Sequence, residues 1–539
     1  MTEKKTIGII VLILLFGFLL RTAYFLHTLQ DIDEGSHAAV AATLMNGGLP
    51  YLNAVNNKPP GIFFVYKITF SLFGRYNMTA VHLVAFIWTL ATGIVLSILA
   101  RNLGGRSAAL CALLFYLTFT AALYPKMIAA NSEIFMALPY SLGVLLLWYA
   151  SVRGKPYLYF AAGFISGLAP LFKQIGGVIV VALLVYLLVV LPLRHGRNRI
   201  LPGIFAGVYY GIGFAVPTAI VAFLFHRSGI LTSWIFWNLT YASRYISTGN
   251  RALSFPAQLL AEFVPFVLST LILWALALVW IKSVFANRHQ PEHSSQSDFP
   301  IFIALWFIVS TLATMLGTRM YGHYFIQILP SLALMASLYA GKLFAESHRL
   351  HAKAWRYAVL TLTIVPGLIF AGMAAAYEST TDTWREIRPD FRPATDYIGS
   401  HTRPDDRIFV WGWFTPIYVY SRRAPSTRFV FTTMHTGYRR GDDPDEEDRS
   451  DIVWAAVPEA WPMLEEDLQR DPPELIIDTS PGNYHDFGRY PLKAYPILRH
   501  YVDRNCRLEK SIAGMDIYRC GRGRREVDWR SAGQSPKWK

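Results

Sequence analysis

The chain contains few charged residues and few cysteines. Only 16% of its 539 residues are charged, whereas 53% are hydrophobic and the mean hydropathy is +0.32. A soluble globular domain carries about 25% charged residues, so this composition predicts a protein of the membrane class. Of the three cysteines, Cys111 lies in an apolar run, where it is most simply a small core residue. Cys506 and Cys520 flank a predicted hairpin, and a disulfide and two free thiols remain alternatives.

Several catalytic and nucleotide-binding motifs are missing from the sequence. It contains no P-loop glycine pattern, no HExxH, no CxxC zinc pair and no GxSxG elbow. ATP-driven transport and serine hydrolysis therefore lack support. We expect no nucleotide or redox cofactor.

Acidic residues are scarce before position 378. The first 377 residues contain nine acids against 25 lysines and arginines, whereas the remainder contains 27 acids against 25 basic residues. The basic excess therefore belongs to the membrane part, where cytoplasmic loops rich in Lys and Arg account for it. No nucleic-acid partner is needed to explain it.

Apolar runs predict about eleven membrane-spanning helices, because about 20 apolar residues are needed to cross the hydrocarbon core. The runs lie near 6–27, 80–101, 107–124, 133–151, 157–172, 175–193, 203–226, 258–284, 299–317, 323–344 and 355–377. Alternate loops are rich in Lys and Arg, which predicts a cytoplasmic N-terminus. An odd number of spans then places the tail outside the cytoplasm.

These patterns predict two domains in a multi-pass protein of the cell (inner) membrane. Residues 1–377 form the α-helical membrane domain, with residues 28–79 as a long first loop on the outer face. Residues 378–539 form an extracytoplasmic α/β domain, because short buried strands near 407–412 and 474–478 alternate with helical stretches.

An acidic cluster follows the first apolar run directly. Asp31, Asp33 and Glu34 lie next to the predicted membrane surface, where carboxylates are costly and are functional by default. Acids are also favoured in the first turn of a helix by its dipole, which explains one or two of them. The functional interpretation is that one carboxylate acts as a general base toward an acceptor hydroxyl.

Five other ionisable residues lie near the same predicted face. Lys58 precedes two prolines, and it is either a phosphate contact or a snorkelling lysine. Glu133 is the only acid of a long apolar stretch, which favours a functional role. Lys173 ends a short span. Arg319 is either an interface anchor or, with His323, part of a phosphate or sugar site, although a lone histidine there is usually structural.

The order of these motifs resembles that of the GT-C glycosyltransferases. The branch in question is shared by protein O-mannosyltransferases and the aminoarabinose transferases of lipid A. The similar motifs are Asp33-Glu34, Gly-Gly-x-Pro-Tyr at 47–51, Lys-Pro-Pro at 58–60, Asn-x-Glu at 131–133, Lys-Gln at 173–174, Arg-x-x-x-His-Tyr at 319–324, and a tail segment at 397–411.

The resemblance implies transfer of a sugar from a polyprenyl-phosphate donor to a hydroxyl acceptor on a lipid, glycan or protein, with inversion at the anomeric carbon. It implies that Asp33 is the base and Glu133 a second acid. The same comparison makes Lys58, Lys173 and Arg319 candidates for binding the donor phosphate, and we add His323 to them. Asn57 stands where the aminoarabinose transferases have an acid, so a divalent cation is left open.

Two other classes of function compete with a transferase. A transporter or flippase of a lipid-linked sugar would place ionisable residues near the bilayer midplane and show repeated halves, whereas here the charges cluster at one face and no repeat is visible. A scaffold whose outer domain does the work leaves the acidic first loop unexplained.

Overall fold

The computed structural model describes residues 3–123, 126–243, 255–286, 298–316, 320–345, 350–380, 390–438 and 455–521. The chain divides into two compact units. The first, which we call the helical unit, comprises Met1–Gln30, His82–Val221 and Phe255–Ala375. The second, which we call the mixed unit, comprises Asp31–Val81, Ala222–Ser254 and Ala376–Lys539.

Apolar helices build the helical unit. Its α-helices are Glu3–Leu19, Ala23–Leu26, Met78–Phe119, Ser132–Arg153, Pro156–Ser166, Ile179–Val185, Leu191–His195, Ile200–Arg227, Phe255–Gln258, Val264–Ser269, Leu271–Ala286, Phe299–Met315, Leu329–Ala345 and Leu350–Thr380. Shorter 3₁₀ or π turns lie at Ala169–Leu171, Gln174–Val178, Tyr186–Val190, Arg197–Arg199, Leu259–Phe263 and Gly322–Gln327. Some of these helices extend a few residues into the sequence ranges of the mixed unit.

Six helical segments within the described residues are long and apolar enough to cross a membrane. A seventh forms if Phe255–Ser269 and Leu271–Val284, which are bent by 80°, count as one span. Four shorter apolar helices accompany them, at Gly61–Phe73, Pro156–Leu171, Phe299–Met315 and Leu329–Ala345. The chain is therefore a multi-pass membrane protein, whereas the number eleven stays a prediction.

The helix Met78–Phe119 contains 42 residues, about twice the length that one span requires. Its backbone leaves the helical region at Gly105, where φ is 80° and ψ is −170°. This break separates two apolar segments, as the runs near 80–101 and 107–124 predict. Large apolar side chains such as Leu12, Leu201 and Phe223 are more than 60% exposed, which suits contact with lipid.

The mixed unit is built around a five-stranded sheet. Its strands are β1 (Arg407–Trp411), β2 (Ala424–Pro425), β3 (Leu475–Asp478), β4 (Cys506–Ile512) and β5 (Met515–Cys520), in the order β2-β1-β3-β5-β4. Its helices are Ile32–Met45, Gly61–Phe73, Leu231–Ile235, Arg392–Ser400, Pro416–Ser421, Thr433–Thr436, Ala460–Arg470 and Pro496–Asn505, with shorter turns at Phe236–Thr240, Tyr484–Arg489 and Leu492–Ala494.

The centre of this sheet is parallel and its far side is antiparallel. Strand β1 runs parallel to β2 and β3, while β5 runs antiparallel to β3 and β4. Parallel strands are covered on both faces and read as continuous apolar runs. All four residues of β3 and the last four of β1 are buried accordingly. The expected small α/β domain of the tail is confirmed.

The first loop, predicted at 28–79, groups with the tail rather than with the membrane helices. The loop contains the helix Ile32–Met45, and its residues from Gly35 to Met45 show helical periodicity in the sequence. A second helix in this loop, Gly61–Phe73, was not expected, because its apolar run is too short for a span. The division of the chain at 377 and 378 stays a prediction.

A disulfide joins Cys506 and Cys520 across the hairpin that β4 and β5 form. The two cysteines are paired in register at the open end of the hairpin. Bonded thiols require oxidising surroundings, which suits a tail outside the cytoplasm.

We expect this disulfide to be present in the purified full-length protein. Iodoacetamide added after denaturation without reductant should then alkylate Cys111 but neither Cys506 nor Cys520, as read by peptide mass spectrometry. Closing a loop of 14 residues stabilises a fold by about 3 kcal/mol, so reductant should lower the melting temperature. Alkylation of all three cysteines without reductant would contradict the bond, with Cys111 as the internal control.

Candidate functional site

The acidic cluster of the mixed unit lies at the start of the helix Ile32–Met45. Asp31 is the N-cap residue, with an extended backbone, and its carboxylate accepts a hydrogen bond from the Asp33 amide at 3.4 Å. Asp33 and Glu34 occupy the first turn, where the helix dipole stabilises negative charge. Glu34 is fully buried. The helix-start interpretation therefore accounts for Asp31, and Asp31 and Asp33 are both partly accessible.

Asp33 forms an ion pair with Lys58. The Lys58 Nζ atom lies 3.4 Å from Asp33 Oδ2, and the two side chains are 21% and 29% exposed respectively. A neighbouring cation favours the ionised form of a carboxylate. Since both groups retain access to solvent, the pair presents a charged carboxylate to an incoming molecule.

The backbone around Lys58 is fixed by local hydrogen bonds. The Tyr51 hydroxyl donates to the Lys58 carbonyl at 2.9 Å, and the Lys58 amide donates to Asn56 Oδ1 at 3.1 Å. Pro59 and Pro60 follow, and proline restricts the backbone further. The backbone that carries Lys58 is therefore restricted on both sides of the residue.

Two segments of the tail form hydrogen bonds with the backbone close to Asp33 and Lys58. The Thr415 hydroxyl donates to the Ile32 carbonyl at 3.1 Å, directly before Asp33. The Val55 amide donates to the Arg428 carbonyl at 2.7 Å, close in sequence to Lys58. Both contacts lie within the mixed unit. The tail thus takes part in positioning Asp33 and Lys58.

The second of these tail segments is itself anchored by a buried ion pair. Arg428 Nε donates to both carboxylate oxygens of Asp467, at 3.1 and 2.9 Å, and its Nη2 also reaches Glu466 at 2.8 Å. Asp467 is fully buried and Arg428 is 6% exposed. These interactions raise the pKa of Arg428 in spite of its burial. A charge-assisted, two-pronged pair of this kind fixes the segment firmly.

A second cluster of ionisable residues lies in the helical unit. Lys173 Nζ donates to Glu133 Oε1, and His323 Nε2 lies 3.7 Å from the same oxygen. Glu133 is 1% exposed. The Lys173 ammonium also lies over the Tyr324 ring, 3.4 Å from its centroid. Burial of a carboxylate is tolerable here because a cation neutralises it.

Helix starts and short 3₁₀ turns place these side chains. Glu133 lies in the first turn of the helix Ser132–Arg153, where the dipole favours an acid. Lys173 has an extended backbone between the turns Ala169–Leu171 and Gln174–Val178. His323 belongs to the turn Gly322–Gln327. All three therefore occur where regular helices of the unit are interrupted.

The residues that the sequence singled out thus fall into two groups, each described within its own unit. Asp31, Asp33, Glu34 and Lys58 belong to the mixed unit, and Glu133, Lys173 and His323 to the helical unit. Arg319 lies outside the described residues.

Sequence reasoning missed Thr415, Arg428 and Asp467. Thr415 lies 383 positions from its partner Ile32, and no periodic pattern reports such a contact. It also assigned Lys173 to a phosphate without expecting its pair with Glu133.

A metal site requires several His, Cys, Asp or Glu side chains close together. Among the described residues, no group of three or more His, Cys, Asp or Glu side chains is arranged to hold a metal ion. Glu133 and His323 supply two such groups, next to a lysine. The structure therefore identifies no ligand set for a divalent cation within those residues.

A known protein family matches part of the chain. The family model for dolichyl-phosphate-mannose-protein mannosyltransferases matches residues 57–202. This segment contains Lys58, Glu133 and Lys173, whereas Asp33 precedes it. No match is found among curated protein sequences.

Solved structures share the fold. ArnT from Cupriavidus metallidurans, solved with bound undecaprenyl phosphate, is 16% identical with a TM-score of 0.57, and the match covers 96% of this chain and 98% of that one. The oligosaccharyltransferase of Archaeoglobus fulgidus is 13% identical with a TM-score of 0.50, and the match covers 88% of this chain and 68% of that one.

Residues 57–202 are thus similar to this mannosyltransferase family, and the chain shares its fold with the two solved transferases. The family match and the shared fold agree with the order of motifs in the sequence. The matched segment contributes Lys58 to the mixed unit, and Glu133 and Lys173 to the helical unit. Both clusters therefore contain residues of the segment that matches the family model.

We expect the pair of Glu133 and Lys173 to be needed for stability. Lys173→Met leaves a buried carboxylate without its ammonium partner, and removing one member of a buried pair costs about 3–5 kcal/mol. The melting temperature of the purified protein in detergent should fall markedly. The double variant Glu133→Gln with Lys173→Gln removes both charges and should recover much of the loss.

Lys155→Met is the matched control, because Lys155 is an exposed lysine of the same unit. It should leave the melting temperature unchanged. A Lys173→Met variant as stable as the parent would show that the pair contributes nothing to the fold.

Proposed function

We propose that the chain transfers a sugar from a polyprenyl-phosphate donor to a hydroxyl acceptor, with inversion at the anomeric carbon. The observation that carries the proposal is the partly exposed ion pair of Asp33 and Lys58. It combines an ionised carboxylate with a cation at the start of a helix. The similar ArnT structure was solved with bound undecaprenyl phosphate, which supports a polyprenyl-phosphate donor.

Asp33 is the proposed general base. Its carboxylate accepts the proton of the acceptor hydroxyl while the hydroxyl oxygen attacks the anomeric carbon of the donor sugar. The bond between that carbon and the phosphate oxygen breaks, and its electron pair leaves with the polyprenyl phosphate. Attack from the face opposite the leaving group inverts the configuration. Phosphate is a good leaving group, so the step requires no nucleotide.

Cations are needed where negative charge grows on the leaving phosphate. Lys58 lies beside the proposed base and can contact that phosphate as a point charge. Lys173, Arg319 and His323 are the further candidates for the donor phosphate that the sequence suggests. Glu133 is the candidate second acid, and its contact with Lys173 gives it the role of holding that lysine in place.

Asp31 and Glu34 have different proposed roles from Asp33. Asp31 caps the helix and Glu34 is fully buried in its first turn. Both therefore stabilise the segment that presents Asp33. The ion pair of Asp33 with Lys58 and the capping role of Asp31 thus favour Asp33 as the base, which the sequence motif also suggests.

The proposed site of action is the outer face of the cell membrane, with the N-terminus in the cytoplasm and the tail outside. Basic loops predict this orientation, and the disulfide of the tail supports it. The prenyl chain of the donor would then remain in lipid while its sugar phosphate reaches the outer surface. The acceptor is a hydroxyl group of a lipid, a glycan or a protein.

Asp33→Asn should abolish transfer while Asp31→Asn should not. The side-chain amide that replaces the Asp33 carboxylate cannot accept the proton, and losing a general base lowers a rate by about 10²–10⁴-fold. Asn is as good an N-cap as Asp, so Asp31→Asn should keep most activity. The measurement uses full-length protein in detergent, radiolabelled polyprenyl-phosphate sugars and envelope lipid and protein fractions as acceptors.

The two variants are matched in size and in charge removed. A partly exposed ion pair contributes about 0–1 kcal/mol, so Asp33→Asn should melt near the temperature of the parent. Full activity of Asp33→Asn would exclude it as the base. The reverse pattern, with Asp31→Asn inactive and folded, would transfer that role to Asp31.

The anomeric configuration of the product tests the single displacement. We expect the transferred sugar to have the configuration opposite to that of the donor, measured from the anomeric proton coupling by NMR. A product with the donor's configuration would indicate a covalent intermediate on the enzyme and would contradict direct attack by the acceptor.

A further inference from the structure

The loops after β1 and β3 meet at one edge of the sheet in the mixed unit. The two strands are parallel neighbours, and Trp411 at the end of β1 is paired with Asp478 at the end of β3. Carboxyl ends of parallel strands are where open α/β sheets bind ligands. We call this edge the carboxyl edge, and it comprises residues 412–416 and 479–489.

The carboxyl edge rests against the helix that begins beside Asp33. Thr415, in the loop after β1, donates to the Ile32 carbonyl at 3.1 Å. The same loop packs closely on Gly35, where an added Cβ would lie 2.7 Å from Thr415 Oγ1 and 3.3 Å from the Pro416 nitrogen. The proposed base and the carboxyl edge are therefore neighbours within one unit.

The edge is rigid. The Asp478 carboxylate accepts hydrogen bonds from the amides of Ser480, at 2.9 Å, and Leu492, at 3.1 Å. Burial raises the pKa of Asp478, and these two bonds oppose that effect. The Thr479 amide and hydroxyl both donate to the Trp411 carbonyl at 3.1 Å, which ties the two loops together.

One aromatic residue of this edge, Trp413, is only partly buried. Its ring centroid lies 5.5 Å from that of the buried His485. Phe414 contacts His485 from another side, at 5.3 Å. The indole thus contacts the His485 ring, which Phe414 in turn contacts, while Trp413 remains partly accessible.

Polar side chains lie in the loop after β3, whose His485 contacts this indole. Asn483, Asp486 and Arg489 are exposed. Asn483, His485 and Asp486 have φ values of 51°, 53° and 62°, in the left-handed region that residues other than glycine rarely adopt. Backbone strain of this kind clusters at functional sites.

We propose that the carboxyl edge binds the acceptor as a saccharide, with one sugar ring stacked on Trp413. A pyranose has an apolar C–H face, which suits an aromatic ring, and a polar rim, which suits Asn483, Asp486 and Arg489. The site rests on the proposed function, because it delivers the acceptor hydroxyl to Asp33. Trp413 is then a specificity-determining residue.

A peptide acceptor fits this edge less well. Extended peptides bind by adding a strand to the free edge of a sheet. Strands β1 and β3, whose loops form the carboxyl edge, are both paired on two sides, and the outer strands are β2 and β4. Within the described sheet, neither strand that leads into the carboxyl edge is therefore free to pair with an added peptide strand.

The first test is kinetic and uses the full-length protein in detergent. The acceptor is an envelope saccharide–lipid extract, and the measured quantity is the extract concentration that gives half the maximal rate. Trp413→Ala removes the stacking surface, so this concentration should rise about 10-fold. The maximal rate and the donor KM should change little. Trp413→Phe should retain most of the affinity, and Trp355→Ala, at an exposed tryptophan of the helical unit, should behave like the parent.

The second test measures binding without transfer. Saturation-transfer NMR with the methyl β-glycosides of glucose, galactose and N-acetylglucosamine should show contact of ring protons for at least one probe. The signal should disappear in Trp413→Ala and persist in Trp355→Ala. Binding of a probe by a chain that transfers no sugar would support the site while refuting the proposed function.

Two results would overturn the saccharide site. The first is that Trp413→Ala and the parent need the same acceptor concentration for half the maximal rate. If the parent transfers no sugar, the corresponding result is that none of the three glycosides binds. The other is labelling of proteins alone in the envelope fractions, which would identify a protein acceptor.

Discussion

Charge beside hydrocarbon is costly, and this constraint accounts for where the polar groups of the helical unit lie. Glu133 is buried but contacts Lys173. Asp298 is fully buried and contacts Arg194 and His195. Arg21, which is 2% exposed, donates to the Leu117 carbonyl at 2.6 Å. These groups lie at or near helix ends or breaks, where partners are available and where a catalytic cluster costs least to build.

In the mixed unit, several contacts hold the partly accessible carboxylate of Asp33 in place. Asp33 lies in a first helical turn capped by Asp31, and Lys58 projects from a turn stiffened by two prolines. The helices Ile32–Met45 and Gly61–Phe73 contact each other through the rings of His37, Phe63 and Tyr66. The tail holds both segments further, through Thr415 and through Arg428, which the buried Asp467 anchors. The α/β domain is thus structurally part of the proposed catalytic centre.

The sequence predicts local features well, because apolar run length and helix-start acids act over a few residues. The membrane helices, the helix after Asp31 and the parallel strands of the tail all follow from such patterns. Contacts between distant segments do not: Thr415 and Ile32 are 383 positions apart. Lys173 was singled out for its charge, yet its pairing with Glu133 depends on how two helical segments pack. The role of each site residue therefore needs the fold as well as the motif.

The most direct test measures whether the unmodified protein cleaves the donor when an acceptor is present. A polyprenyl-phosphate sugar labelled in both its lipid and its sugar is mixed with the protein in reconstituted vesicles, with and without envelope acceptors. We expect acceptor-dependent release of polyprenyl phosphate, one molecule for each sugar transferred. Movement of the intact sugar lipid across the bilayer, without cleavage, would instead identify a transporter and exclude the transferase.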